Sequence, residues 1–473
     1  MMRPMDHQSD AIHQIFNAIK GGARAPLFQL STGGGKTVVC GVVGQIGEIA
    51  QKPVLMIAHR NNLVEQASET FKKMGVDHGI INPNAPKIPD RLINIGMVQT
   101  VSRRLDYIPP QMMVVIDEAH HCAGENQWKR VSEIGKYVLG VTATPSRADG
   151  LGLGVKSGGI FDYLIKGPSM DDLIKLGRLV PMRWYGPAKV YDWSQIGGAG
   201  NDFTQGEITR SLEKSKIYGD AVNLWAKFAR GLRTITFCHS KRFAGDVCDS
   251  FNSKGVPSVV ITGDDTATIQ RAKIQALTDG TILNLIAIDV ISEGTDIPCV
   301  FAGIGMRPTK SLNLWYQQAG RIMRSAKNKE FGIWIDMVGN ANYHGYPGEH
   351  EWSLDYEQSI NVSTKAVNNG IIKIRTCEKC LRLCEHNPCE HCGHTPTGRI
   401  IQQVTEAEYM ELKRGDRERK DVAARANNIA YLTNILRKQR QNGYKIQWAM
   451  FVYKSRIGKF PSKSEISEAE KNI

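Results

Sequence analysis

Short apolar runs and segments of helical periodicity alternate along about the first 340 of the 473 residues, and the runs end on polar or glycine-rich turns. Ala25 to Leu30, Pro53 to Ala58, Met112 to Ile116 and Tyr137 to Val141 are apolar almost throughout, as strands buried on both faces of a parallel sheet must be. Ile93 to Thr100 repeats the pattern of strand followed by polar turn. Ala11 to Lys20 and Thr37 to Ile49 instead place their apolar residues on one helical face. After Pro145 the alternation loosens through the stretches 150–159 and 186–206, which predicts a boundary and hinge. A helix over Ile217 to Arg230 leads into a second series. Its strands are predicted at Thr234 to His239, Pro257 to Thr262, Asn284 to Ile288, Val300 to Met306 and Phe331 to Met337. Its helices are predicted at Lys241 to Lys254, Ala267 to Leu277 and Leu312 to Arg324. The fold class expected is α/β, with two tandem doubly wound parallel-sheet domains at 1–185 and 216–345 joined by a hinge at 186–215. A polar connector (346–375), a cysteine-rich module (376–396) and a basic helical region (397–473) follow.

The turn after the first run, Gln29-Leu30-Ser31-Thr32-Gly33-Gly34-Gly35-Lys36-Thr37, has the composition of a phosphate cradle. Three glycines allow a tight turn that aims backbone N–H groups inward, and the following helix adds the partial charge of its N-terminus. Lys36 is then placed for the β- and γ-phosphates and the Thr37 hydroxyl for Mg²⁺. Leu30 stands where the general pattern has its first glycine, so the match needs a second motif. Asp117-Glu118-Ala119-His120, at the end of the run Met112 to Ile116, supplies it. Ligands of open α/β sheets bind beyond the carboxyl ends of strands, so both motifs face one rim. There Asp117 can hold Mg²⁺ and Glu118 can orient and deprotonate the attacking water. Either motif alone is an ordinary turn or helix cap, but together they describe a nucleoside triphosphatase.

Charge and cysteine usage extend this picture. Lys and Arg number 60 against 47 Asp and Glu, a net charge of +13, which favours a polyanionic partner. No apolar run approaches the roughly 18 residues that span a bilayer and the first residues lack a signal-peptide core, so a cytoplasmic protein with no membrane partner is expected. Of ten cysteines, five are scattered and five lie between Cys377 and Cys392. Cys377, Cys380, Cys389 and Cys392 form two Cys-x-x-Cys turns of the kind that hold Zn²⁺ in a ribbon, with Cys384, His386, His391 and His394 as spare ligands. In the final region Trp448, Phe451, Tyr453 and Phe460 lie among Lys445, Lys454, Arg456 and Lys459. That pattern suits either base stacking or a small core with a charged rim.

Seven blocks in order, GGGKT, AHRNNLVEQ, GMVQT, DEAH, TATP, SEGTDIP and QQAGRIMR, resemble the superfamily 2 helicases of the DEAD/DEAH type over about residues 1–340. Within that superfamily the chain looks like the branch of XPB-like proteins and type I and III restriction translocases, and most like the RadD-type DNA repair helicases. The resemblance implies two RecA-like domains with ATP and Mg²⁺ in the cleft between them. The first domain would give Thr32, Gly33, Gly34, Gly35, Lys36, Thr37, Asp117 and Glu118, and the second Arg321 and Arg324, which share one helix face at that spacing. It further implies Gln8, with Arg3 nearby, as reader of adenine, and Gly294 and Asp296 as contacts near the nucleotide. Gln317 would work with Glu118 and His120, while Thr142 and Thr144 would link hydrolysis to domain movement. Arg60, Thr100, Ser240 and Thr262 match blocks that touch the nucleic-acid backbone. The implied activity is ATP-driven movement on or unwinding of DNA, single-stranded or forked, in repair, recombination or replication, with single-strand-binding or recombination proteins as partners. An RNA helicase and a clamp that ATP switches without unwinding are the alternatives.

Overall fold

The computed structural model describes residues 3–85, 87–122, 126–147, 152–187, 202–212, 217–291, 297, 299–354, 374–395, 429, 432–441, 446–457 and 460–471. The chain divides into two compact units, Met1–Pro396 and Thr397–Ile473. The larger unit holds two parallel sheets. The first comprises β1 (Pro26–Gln29), β2 (Val54–Ala58), β3 (Gly79–Ile81), β4 (Ile93–Met97), β5 (Gln111–Asp117), β6 (Gly135–Thr142) and β7 (Tyr163–Lys166), in the spatial order β3-β4-β2-β5-β6-β1-β7. The second comprises β8 (Met182–Tyr185), β9 (Thr234–Phe237), β10 (Ser258–Ile261), β11 (Asn284–Ala287), β12 (Ala302–Gly305) and β13 (Gly332–Asp336), in the order β10-β11-β9-β12-β13-β8. Adding seven to the first six positions of one order gives the other, so the second sheet repeats the topology of the first.

Both faces of each sheet are covered, because successive side chains of a strand point to opposite sides. In the first sheet Phe28, Met56 and Val115 enter one core while Leu27, Leu55 and Val114 enter the other. In the second, Ile286, Ile304 and Ile335 face one core and Leu285, Phe237 and Trp334 the opposite one. This double burial is why the strands read as continuous apolar runs.

Four expectations change. The short strands β3 and β7 belong to the first sheet although their sequences carry little signal. Strand β8, which falls within 1–185, pairs with β13 in the second sheet, and Met170, Leu173 and Leu179 before it pack in a second-sheet core. The crossing between domains therefore precedes the expected hinge, whose residues 188–201 and 213–216 lie outside the described ones. The helix expected over Leu312 to Arg324 ends at Ile322, so Arg324 lies beyond it, in a bridge to Leu179. Finally, the cysteine module, expected as a separate stretch after a connector, joins the edge of the second sheet. Its hairpin of β14 (Arg375–Thr376) and β15 (Leu383–Cys384) is tied to β8 by a Tyr185–Arg382 bridge, and Gly186 N donates to Leu381 O at 3.1 Å. Ile374 and Leu383 complete a second-sheet core. Of the connector, 355–373 lies outside the described residues.

In the smaller unit, helices at 432–441, Ile446–Ile457 and Lys463–Lys471 enclose Leu432, Leu436, Ala449, Tyr453 and Ala469. Tyr453 is thus a core residue, whereas Phe460 is exposed with the Lys454 ammonium 4.5 Å from its ring centre. Among the described residues no helix is long and apolar enough to cross a membrane.

Candidate active site at the seam of two sheets

The cradle follows β1 and is tied to β6, since Leu30 N donates to Thr142 O at 2.9 Å and Gln29 Nε2 to Ala143 O at 3.2 Å. Gly33 and Gly35 have φ of 90° and 86°, values that favour glycine strongly. Leu30 fills the space beneath the turn: a Cβ at Gly34 would lie 2.6 Å from Leu30 Cγ. The departure from the general pattern is therefore compensated by packing. Beside the turn, Lys36 Nζ donates to Leu30 O at 3.5 Å and lies 3.8 Å from Glu118 Oε1. Lys36 opens the helix Lys36–Ile49, which directs its N-terminus at the same space.

Glu118 occupies the left-handed region at φ 49°, a costly conformation for a side-chain-bearing residue and one that recurs at functional sites. Its N–H donates to Asp117 Oδ1 at 3.0 Å, which holds the two carboxylates in a fixed relation. Glu118 Oε2 lies 3.4 Å from His120 Nδ1, and that nitrogen is 3.0 Å from Thr142 Oγ1. The Thr142 hydroxyl donates to Thr144 O and accepts from Thr144 N, each at 3.2 Å. A buried polar chain thus runs from Glu118 to the end of β6. Two residues further, Ser146 O accepts from Asn313 Nδ2 at 2.6 Å, and Asn313 lies on the helix Leu312–Ile322 of the second domain.

That helix closes the site. A cavity of about 370 Å³ is lined by Thr32, Gly33, Gly35, Lys36, Thr37, Asp117 and Glu118 on one side and by Gln317, Arg321, Arg324 and Ser325 on the other. Contact is close enough that a Cβ on Gly320 would sit 2.9 Å from Thr32 Cβ. Four cationic and two acidic side chains surround the space, a set suited to a polyphosphate with its Mg²⁺ near Thr37 and Asp117. Although Arg324 has left the helix, its bridge to Leu179 returns it to the cavity beside Arg321.

Comparison with known proteins agrees with this arrangement. Residues 1–147 match the family model described as the res subunit of type III restriction enzymes, and residues 216–326 match the helicase conserved C-terminal domain. The two matches, in this order, make the chain a helicase-family protein of superfamily 2. It is an ATP-dependent enzyme of nucleic acid. A 51.5 kDa protein of Lactococcus phage (isolate 7-9) is 29% identical over 78% of this chain and 77% of its own length. A Saccharomyces cerevisiae protein named as an ATP-dependent helicase, IRC3, is 28% identical over 71% of this chain and 51% of its own length, so the chain spans about half of that relative. Among solved structures, a fragment of an HsdR subunit of a type I restriction enzyme from Vibrio vulnificus YJ016 aligns with a TM-score of 0.57. It is 19% identical over 73% of this chain and 68% of its own. The type ISP restriction-modification enzyme LlaBIII, bound to DNA, aligns at 0.52 with 16% identity over 71% of this chain and 28% of its own. These two structures speak for the fold.

The other expected site residues fall in several places. Gln8 is buried, its carbonyl accepting from Met5 N at 2.9 Å and its amide donating to Gly34 O at 3.2 Å. It braces the cradle from below and does not line the cavity, while Arg3 is exposed. Gly294 and Asp296 lie outside the described residues. Arg60, Thr100, Ser240 and Thr262 follow β2, β4, β9 and β10, all beyond carboxyl ends of strands. Arg60 is exposed, but Thr100 is buried. Ser240 caps its helix by accepting from Phe243 N at 3.3 Å, and the Thr262 hydroxyl accepts from Asp264 N at 3.2 Å.

Cys377, Cys380, Cys389 and Cys392 converge, with sulfurs 3.6 Å (377 to 392) and 3.9 Å (380 to 389) apart. Tetrahedral thiolates about 2.3 Å from a Zn²⁺ would be about 3.8 Å apart, so the four fit that ion. Cys384 is buried at the side of the cluster, where it and Glu390 form a second grouping with Cys389.

Two features carried no signal in the sequence. Arg178 lines the same cavity at the seam, from the segment joining the sheets. Lys329 is buried and donates to Ile322 O, Val300 O and Arg324 O at 2.6, 2.6 and 2.8 Å, which neutralises carbonyls at the end of the arginine-bearing helix. Burial lowers its pKa to about 8, helped by Arg324 and opposed by Cys299.

Proposed function

We propose that the chain is an ATP-driven DNA translocase or helicase, in which hydrolysis at the seam moves the two sheets relative to one another along a strand. The observation that carries this reading is the cavity itself, where Lys36, Thr37, Asp117 and Glu118 meet Gln317, Arg321 and Arg324 across the seam. Mg²⁺, when bound, offsets charge on the phosphates and orients them for in-line attack. Lys36 and the cradle N–H groups bind the phosphate chain, and Glu118 takes the proton from water. Arg321 and Arg324 stabilise charge on the transferring group, and they can do so only when the second sheet lies against the first. The polar chain from Glu118 through His120 and Thr142 to Thr144 carries that closure to the strand-binding rim, where Arg60 is the exposed candidate contact.

DNA is preferred over RNA because the first domain matches a restriction-enzyme family model and the fold resembles restriction subunits, one of them bound to DNA. The net charge of +13 suits either polymer. Zn²⁺ is assigned to the four converging sulfurs of the ribbon. ATPase rates with single-stranded, duplex and forked DNA and with RNA, set beside strand displacement, test the reading. Stimulation by DNA well above that by RNA is expected. Stimulation by RNA alone would overturn the choice of polymer, and DNA-stimulated ATPase without displacement or translocation would leave an ATP-switched clamp.

A further inference from the structure

We infer that residues 345–354 form a strap that positions the arginine-bearing helix Leu312–Ile322 against the first sheet, with His350 as its latch on the helix and Leu354 as its anchor. The inference rests on the ATP reading of the seam and extends it to a segment outside every motif. The helix meets the first domain through Gly320, packed on Thr32, and through Asn313 Nδ2, which donates to Ser146 O at 2.6 Å. It meets the strap through Trp315 and Tyr316. Trp315 Nε1 donates to Gly345 O at 3.1 Å, Gly348 N donates to the Tyr316 hydroxyl at 2.9 Å, and that hydroxyl lies 2.7 Å from His350 Nδ1. Burial lowers the pKa of His350 to about 4, so its ring is neutral near pH 7 and Nδ1 can accept the hydroxyl proton. Both rings pack on Trp352, with centres 6.0 Å (His350) and 5.5 Å (Tyr316) from it.

The strap then crosses to the first domain. Leu354 packs against the first-sheet core that holds Leu153 and Phe161, and its carbonyl accepts from Gly154 N at 3.0 Å. The fit is close, since a Cβ on Gly154 would lie 3.0 Å from Leu354 Cβ. One segment is thus fastened to the arginine helix at His350 and to the first sheet at Leu354. Four residues of chain reach at most about 14 Å, so the two sheets cannot part widely while both fastenings hold. Gln317 and Arg321, which line the cavity, sit one and five residues beyond Tyr316 on the same helix. A displacement of about 1 Å at a reacting group can cost about a hundredfold in rate. None of the strap residues lines the cavity, so the strap acts on hydrolysis through the helix, by limiting how far it moves from the cradle.

The test measures, on the full chain, affinity for ATP with Mg²⁺ by calorimetry, single-turnover hydrolysis without DNA, and the melting temperature without nucleotide. Tyr316→Phe, His350→Phe and Leu354→Ala should each bind ATP within about twofold of the parent and hydrolyse the bound ATP about fivefold or more slowly. The double variant Tyr316→Phe His350→Phe should be no slower than Tyr316→Phe alone, since the latch is already broken. His350→Asn, whose side-chain oxygen replaces Nδ1 as acceptor, should recover most of the rate. Glu351→Ala, exposed on the strap, should change nothing. Lys36→Ala and Arg321→Ala serve as controls for the site. With both defective, rates within about 1.5-fold of the parent in His350→Phe and Leu354→Ala would overturn the inference and leave the ATP site standing. So would losses that follow the melting temperature and are not recovered in His350→Asn, the mark of a role in folding alone. Undiminished ATP binding in Lys36→Ala would instead remove the ATP site and the inference together.

Discussion

Strands β1 and β8 hold the same place in two sheets of the same strand order, yet they do different work. After β1 the chain forms three glycines and Lys36, and its outer neighbour β7 shields the edge. After β8 the chain runs into Gly186 and Pro187, and the edge is held by the cysteine module through Tyr185 and Gly186. Repetition of the framework has therefore not repeated the phosphate site. In the proposed reading the first copy binds the nucleotide with backbone and Lys36. The second reaches across with side chains from Leu312–Ile322 and the turn after it. Function lies in the loops at the strand ends, and the paired sheets serve to bring two unlike sets of loops together.

Four variants press on that division of labour. Glu118→Gln strikes the first copy hardest. ATP affinity should hold while turnover falls by about 10²–10⁴, because only the base is lost. Near-normal turnover in a steady-state assay would remove Glu118 from its role. Gly320→Ala acts on the seam alone. Alanine should stabilise the helix by up to about 1 kcal/mol in a denaturant titration, whereas its Cβ, built 2.9 Å from Thr32 Cβ, should hold the sheets apart and slow hydrolysis about tenfold. A faster or unchanged rate would mean that the catalytic state is looser than the closed seam. Lys329→Met tests whether the second copy needs its arginine segment fixed. We expect kcat to drop several-fold at unchanged ATP affinity, the mark of an interaction made in the transition state. Its pH signature has a definite sign. The folded pKa of about 8 lies below the ordinary 10.5, so between these values the unfolded chain binds more protons, and the contribution to stability rises with pH. Unfolding titrations of Lys329→Met should lack that rise.

The smallest effect on turnover is expected at the edge of β8. Cys377→Ser should remove about one Zn²⁺ per chain by metal analysis and lower the unfolding midpoint, because Ile374 and Leu383 of the module pack into a second-sheet core. Basal ATPase at low temperature should stay within about twofold. Full retention of metal by this variant would exclude Cys377 as a ligand.

Sequence alone made the first copy legible because its strands are long and two-sided and its turns are chemically unusual. Leu30 was the exception: only packing beneath Gly34 explains why that position tolerates a large side chain. The second copy was legible as alternating elements, but β8 was not, since Met182-Arg183-Trp184-Tyr185 is short and carries a charge, and no motif follows it. Arg321 and Arg324 were placed on one helix from their spacing, whereas the helix stops at Ile322 and a bridge to Leu179 does what periodicity was expected to do. Arg178 and Lys329 left no trace in sequence, because a lone cation in a turn acquires meaning only from what the other domain brings beside it.

Those cross-domain arginines carry the central claim, which a single-turnover experiment tests most directly. Labelled ATP is bound to the Arg321→Ala Arg324→Ala double variant in the presence of single-stranded DNA, and hydrolysis of the bound fraction is timed against the parent. The account predicts that nucleotide binds with affinity within a few-fold of the parent while the first-order rate falls by about 10³ or more. Bound ATP hydrolysed at the parental rate would contradict it, since the first sheet would then be sufficient for catalysis.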